Sequence, residues 1–175
     1  MSCNKILFAS ALLVTGGFVL PATAASPATA TFQVLITIQK ACSVTAGAAS
    51  NINLGTVSSS AVNTTGTNTI SVTCSKLTPY YVGLAPSAAN GGTTTGSGAM
   101  STTDAISADL VPYQLNQTSA TGPVWGNTAT STTVGNGVAG TGTGLPQSLN
   151  VYATAASANF TPDSYADTVT VNVNF

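Results

Sequence analysis

The sequence predicts an all-β fold, and three observations carry that expectation. Two stretches alternate apolar and polar residues with the two-residue period of a half-buried strand. In one, Val169, Val171, Val173 and Phe175 alternate with Thr168, Thr170, Asn172 and Asn174. In the other, Phe32, Val34, Ile36 and Ile38 alternate with Thr31, Gln33, Thr37 and Gln39, and Leu35 is the one apolar exception. Between them lie further short alternating runs punctuated by Gly, Pro, Ser and Thr, and no amphipathic helical run interrupts them.

Composition sets the class. A chain of 175 residues of this kind is one small domain, and 43% hydrophobic residues suffice for a core. Only 4% of residues are charged, with a net charge of −1, so there is no basic footprint for nucleic acid or an anionic membrane surface. Low charge does not imply disorder here, because disordered chains combine low hydrophobicity with high net charge. The surface is expected to be a neutral coat of Thr, Ser, Asn and Gln.

Residues 1–24 read as a secretory signal peptide. Lys5 supplies the positive start, Ile6 to Leu20 the apolar run, and Ala22-Thr23-Ala24 the small-residue cleavage site, so the mature chain is expected to begin at Ala25. The run falls short of the ~20 residues a bilayer requires and contains Gly16 and Gly17, which weighs against a membrane anchor. Cys3 would leave with the signal. In an exported protein the remaining pair, Cys42 and Cys74, is most simply a disulfide. Two thiols in a chain without His cannot complete a tetrahedral zinc shell unless carboxylates join them, so neither a metal nor a cofactor is expected.

The mature chain then reads in order. Ser26 to Ala30 is a small-residue spacer and Thr31 to Gln39 the first alternating strand. Two readings of that strand stand open: an ordinary first strand of its own domain, or a strand that pairs elsewhere. Cys42-Ser43-Val44 begins the domain proper, Gly47 to Ser50 is turn-prone, Ile52 to Val57 is a weak strand containing Gly55, and Ser58 to Gly66 is a polar loop. Ile70, Val72 and Cys74 point inward from the next strand, which the disulfide pins to the chain near Cys42. Tyr80, Val82 and Leu84 form a strand between Pro79 and Pro86, and Ala88 to Ser101 is expected as an exposed loop. Val111, Tyr113 and Leu115 follow, with Pro112 confining that strand to an edge or a bulge because it cannot donate to a ladder. Gly122 to Asn127 is a turn holding the one Trp, and Thr128 to Gly144 is Gly- and Thr-rich. Leu149, Val151 and Ala153 open the penultimate strand, and Pro162-Asp163-Ser164 turns into the terminal strand, Asp167 to Phe175. No strand-forming stretch follows it, so its neighbour must come from earlier in the chain or from another chain. Many short strands between turn signals suggest a β-sandwich.

Catalytic chemistry finds little footing. The acids Asp104, Asp109, Asp163 and Asp167 each fall at a turn or strand end, where Asp serves local backbone hydrogen bonds, rather than in a glycosidase-type pair. Serine nucleophiles lack a His base. The Gly-rich loops lack the Lys-Ser/Thr ending and following helix of a phosphate cradle. Trp125 reads either as a core anchor or as a sugar- or surface-binding aromatic. No catalytic residue is assigned.

A family resemblance rests on residues spread over the whole mature chain. The runs Val111-Pro112-Tyr113-Gln114-Leu115-Asn116, Pro123-Val124-Trp125-Gly126-Asn127, Gly140-Thr141-Gly142-Thr143-Gly144, Leu149-Asn150-Val151-Tyr152 and Tyr165-Ala166-Asp167-Thr168-Val169-Thr170-Val171-Asn172-Val173-Asn174-Phe175 resemble the spore coat protein U domain family, which includes the archaic, Csu-type chaperone-usher pilins. The terminal Tyr-x-Asp-Thr-Val-x-Val-x-Val-x-aromatic element is the most specific part. Asp163 departs from the Gly often found in the preceding turn, and Phe175 from the Tyr with which many members end.

The resemblance implies an incomplete immunoglobulin-like β-sandwich that lacks its last strand and is completed by donor-strand exchange. Residues 25–40 would be the N-terminal donor-strand extension and residues 41–175 the incomplete domain. Phe32, Val34, Ile36 and Ile38 would be the donor side chains, and Val169, Val171, Val173 and Phe175 the strand that accepts a donor or a chaperone. A periplasmic pilus chaperone, an outer-membrane usher and neighbouring pilin subunits would be the partners, and a surface filament used in adhesion and biofilm formation the destination. Two other roles remain open: a structural protein of a spore or cell-surface coat, whose N-terminal strand completes its own fold, and a secreted carbohydrate- or surface-binding module using Trp125 and nearby Tyr residues.

Overall fold

The structure is a computed structural model that describes residues 27–104 and 107–175. The expected signal peptide, residues 1–24, lies outside the described residues. Among the described residues nine strands form: β1 Cys42–Thr45, β2 Val62–Cys74, β3 Pro79–Pro86, β4 Ser97–Thr102, β5 Leu110–Asn116, β6 Val138–Thr141, β7 Gln147–Ser157, β8 Tyr165–Ala166 and β9 Val169–Asn174. They make two antiparallel sheets, one of six strands in the order β1-β2-β7-β5-β4-β8 and one of three in the order β6-β3-β9. The expected all-β sandwich is what the chain adopts.

Alternation explains which residues meet inside. Ile70, Val72 and Cys74 of β2, Tyr113 and Leu115 of β5, and Val151 and Ala153 of β7 face Tyr80, Val82 and Leu84 of β3 across one apolar core. Trp125 closes this core at 1% exposure, and its indole Nε1 donates to the Val82 carbonyl at 2.9 Å. A buried indole N–H needs such a partner. Trp125 is therefore the core anchor and is not exposed as a surface-binding aromatic. Cys42 and Cys74 are bonded across the β1–β2 pair, where they are direct neighbours in register. At a sequence separation of 32, the chain-entropy estimate gives roughly 3 to 4 kcal/mol of stabilisation.

Three sequence expectations are corrected. The polar stretch ending at Gly66, expected as loop, contributes its last five residues to β2, because β7 supplies backbone partners from Val62↔Ser157 to Val72↔Gln147 whatever the side chains. The loop expected over Ala88 to Ser101 contains β4, whose Gly98 packs under Pro86 and the Tyr113 ring. An added Cβ there would lie 2.6 Å from Pro86 Cβ and 2.8 Å from the Tyr113 hydroxyl. Neighbours supply the bulk that β4 lacks at Gly98. The Gly- and Thr-rich run from Thr128 to Gly144 likewise contains β6, held by β3 from Tyr80↔Gly140 to Val82↔Val138.

The third correction concerns Ile52 to Val57, which is not a strand. It crosses the inner face of β2, with Ile52 and Leu54 packed on the core. Asn68 Nδ2 holds the approach to it by donating to the carbonyls of Ala49 and Asn51 at 3.0 and 2.7 Å. Gly66 makes the crossing possible, since a Cβ there would meet Ile52 Cγ2 at 2.8 Å. Pro112 lies in the half of β5 that pairs with β4 alone, because β7 reaches β5 only at Gln114, Leu115 and Asn116. That leaves room for a residue without an N–H.

Residues 27–37 separate from the compact unit that runs from Ile38 to Phe175. Thr31 to Lys40 belong to no strand, and Phe32, Val34, Leu35, Ile36 and Ile38 are all exposed. The expected strand is unformed in a single copy, because among the described residues no neighbouring strand takes up its backbone groups.

Candidate functional site

β9 pairs with β3 from Pro86↔Val169 to Tyr81↔Asn174, and among the described residues no strand pairs with its other edge. The register places Val171 opposite Leu84 and Val173 opposite Val82, so the β9 valines share the buried face of β3 and pack on the core. Phe175 extends the same face beyond the last ladder pair and is 41% exposed.

Beside that open edge the two sheets part over a groove of about 470 Å³. Leu84, Val169 and Val171 form one wall. Ile70, Leu115, Val151 and Ala153 form its floor, and Ile52 and Leu54 bound the far side. A gap of this kind exposes apolar side chains that a completed sandwich would bury, next to a row of unpaired strand backbone groups. Such an edge is a template for one further strand.

One end of the groove is polar. Between β8 in the six-stranded sheet and β9 in the three-stranded one, the chain changes sheets through Asp167 and Thr168, which both line the groove. Asp167 Oδ2 accepts from the Tyr113 hydroxyl at 2.7 Å and Oδ1 from Asn90 Nδ2 at 2.8 Å. Burial, and then the neighbouring Asp167 carboxylate, raise the Tyr113 hydroxyl above its ordinary value of 10.0. The sequence expectation that Asp167 serves local backbone bonds is corrected, since both partners are remote side chains. Asp163 does keep a local bond, accepting from the Ser164 N–H at 2.7 Å. Asp109 accepts from the Thr161 N–H at 2.9 Å, and hydrogen bonding from the Thr161 side chain, and then from that N–H, lowers its carboxyl below the ordinary range.

The structure therefore brings Val169 and Val171 to the groove and Val173 to the adjoining core, leaves Phe175 at 41% exposure outside both, and joins Cys42 to Cys74. Phe32, Val34, Ile36 and Ile38 make no packed site, each being at least 82% exposed. Sequence reasoning missed Ile52, Leu54 and Met100 as groove residues. The signal for Met100 was present, a large apolar side chain within a run otherwise rich in Gly and Thr. Among the described residues, no group of three or more His, Cys, Asp or Glu side chains is placed to hold a metal ion.

Comparison with known proteins gives a family match and a structural one. The family model described as Spore Coat Protein U domain matches residues 28–172. No curated protein matches the sequence. Among solved structures, the crystal structure of the CsuC-CsuE chaperone-tip adhesion subunit pre-assembly complex from archaic chaperone-usher Csu pili of Acinetobacter baumannii is similar, with a TM-score of 0.48 and 23% identity. That similarity covers 79% of this chain and 40% of the matched chain, so this chain spans about two fifths of the matched chain's length.

Proposed function

The chain belongs to the spore coat protein U domain family, and from that premise we propose that it is a structural subunit of a chaperone-usher pilus, joined to its neighbours by strand donation. The observation that carries this reading is a complementary pair within one sequence. A groove opens beside Val169 and Val171 at the free edge of β9, and a separate segment exposes four apolar side chains at strand spacing. Burial of each such side chain contributes roughly 1.5 to 3 kcal/mol, and the β9 edge offers the backbone partners that the segment lacks. Residues 25–40 are the donor extension and residues 41–175 the acceptor domain, with Phe32, Val34, Ile36 and Ile38 entering beside Val169, Val171, Val173 and Phe175.

A contact made head to tail between identical copies does not close on itself, and so it builds a filament. Before assembly the same edge is a hazard, since unpaired strands beside an apolar groove aggregate. A periplasmic chaperone that lends a strand answers that hazard, an outer-membrane usher exchanges it, and the finished fimbria reaches the cell surface for adhesion and biofilm formation. Deleting residues 25–40 tests the proposal. The truncated subunit is expected to be recovered with its chaperone but to form no chains, because the acceptor survives and the donor is gone. Filaments of ordinary length from that truncation would refute donation by this segment.

A further inference from the structure

Both halves of the proposed joint end in a charge on the apolar face. Phe32, Val34, Ile36, Ile38 and Lys40 follow one another at two-residue intervals, as do Asp167, Val169, Val171, Val173 and Phe175. Asp167 lines the groove together with Val169 and Val171, so the carboxylate stands at the end of the same acceptor surface. The chain has only three cations, Lys5, Lys40 and Lys76, and four acids, Asp104, Asp109, Asp163 and Asp167. Of those acids, only Asp167 is among the groove residues. Its hydrogen-bond partners, Asn90 and Tyr113, are neutral, so they orient the carboxylate and leave its charge uncompensated.

Building on the strand-donation reading above, we propose that Lys40 of one copy meets Asp167 of the next, and that this pair sets the direction and register of the inserted strand. Antiparallel to β9, the two faces match position for position. Lys40 stands opposite Asp167, Ile38 opposite Val169, Ile36 opposite Val171, Val34 opposite Val173, and Phe32 opposite Phe175. A parallel strand over the same positions places Lys40 beside Phe175 and Phe32 beside Asp167, which leaves the carboxylate at the groove end with no cation. A two-residue slip in either direction keeps the apolar face inward but separates the charges and exposes one apolar side chain. Apolar alternation alone fixes which face is buried, and the charged pair selects among the registers that alternation permits.

Lys40 also lies next to the point where the donor rejoins its own domain. The Ala41 carbonyl accepts from the Ser75 N–H at 2.8 Å, and Cys42 is bonded to Cys74. The pair therefore falls at the junction of the two copies, at the rim of the groove, where an ammonium keeps access to water while it reaches the carboxylate.

Cysteine pairing in the full exported subunit tests the register at the end of the groove that Thr168 lines. Antiparallel matching sets Gln39 of one copy opposite Thr168 of the next, whereas parallel matching sets it opposite Asn174. The Gln39→Cys, Thr168→Cys subunit is expected to give polymers that become covalent chains on mild oxidation, and the Gln39→Cys, Asn174→Cys subunit is not. The pair itself is probed by Lys40→Gln and Asp167→Asn, each expected to slow assembly about 5-fold, with the double variant no slower than either single one. Cross-links through Asn174, or normal ladders with no cross-link through Thr168, overturn the register and leave strand donation standing. If the Gln39→Cys, Thr168→Cys subunit without residues 25–38 still assembles, strand donation itself fails and the register falls with it. Unchanged assembly rates for Lys40→Gln and Asp167→Asn reject the charged pair alone.

Discussion

The N-terminal stretch from Phe32 to Ile38 and the strand β9 share one two-residue pattern, but their surroundings differ. In the first, every alternating apolar side chain is more than four-fifths exposed, whereas in the second Val169, Val171 and Val173 pack on the core. The difference lies in the available partner, since Leu84 and Val82 of β3 stand in register with Val171 and Val173. Alternation specifies a face to be buried and says nothing of what buries it. Leu35 sharpens the point: it is 82% exposed on the other face of the same stretch, so exposure there does not distinguish the two faces until a partner arrives.

Substitution on the two faces of the donor stretch should have the largest effect. Ile36→Asp would carry an unpartnered carboxylate into the groove, and heat- and detergent-resistant ladders are expected to fall at least ~100-fold, since the buried charge is costly and the apolar contact is lost. Thr37→Asp, one residue away, is expected to stay within about 2-fold of the parent, because an outward charge remains in water. Equal loss at both positions would show that the stretch is not two-faced.

On β9 the same contrast should appear in the stability of the single subunit. Val171→Asp places a charge against Leu84 and the core, and is expected to cost about 3 kcal/mol or more in denaturant unfolding. The matched control is Thr170→Asp, an exposed position opposite Ala85, expected within about 0.5 kcal/mol of the parent. Asn172 is not a neutral control, because its Nδ2 donates to Asn127 Oδ1 at 3.1 Å. A Val171→Asp subunit as stable as Thr170→Asp would remove β9 from the core.

The smallest effect concerns the polar end of the groove. Tyr113 ionises near its ordinary value of 10.0 in the unfolded chain and at higher pH in the folded one, because burial and the Asp167 carboxylate disfavour its anion. Above about pH 10 the unfolded chain therefore binds fewer protons than the folded one, and stability should fall as pH rises. Tyr113→Phe is expected to flatten that fall and to cost about 1 kcal/mol at neutral pH through the lost hydrogen bond. Burial raises Tyr80 as well, so thermal melts of the variant should retain a weaker alkaline slope. An unchanged slope would mean that Tyr113 is free to ionise.

Much of the fold was legible where strands carry their own apolar residues. Tyr80, Val82 and Leu84, the inward residues of β5 and β7, and the β9 valines all announce their face by spacing. β4 and β6 do not, because their buried space is filled from outside, by Pro86 and Tyr113 at Gly98 and by the Tyr80 ring at Gly140. At the site, the valines of the acceptor edge were readable, but the wall formed by Ile52 and Leu54 was not. That segment reaches the groove as irregular chain held by Asn68, and strand periodicity carries no information about it. The partners of Asp167 lie 54 and 77 residues away, and no local pattern encodes bonds of that kind.

Amide hydrogen exchange of residues 31–39, compared between the single subunit and the assembled filament, addresses strand donation most directly. In the single subunit these amides should exchange at nearly the rate of free chain, since no strand pairs with them. In the filament, those pointing toward β9 should become protected together with the free-edge amides of β9, because each supplies the other's missing hydrogen bonds. Residues 31–39 that still exchange at the free-chain rate in intact filaments would contradict the account.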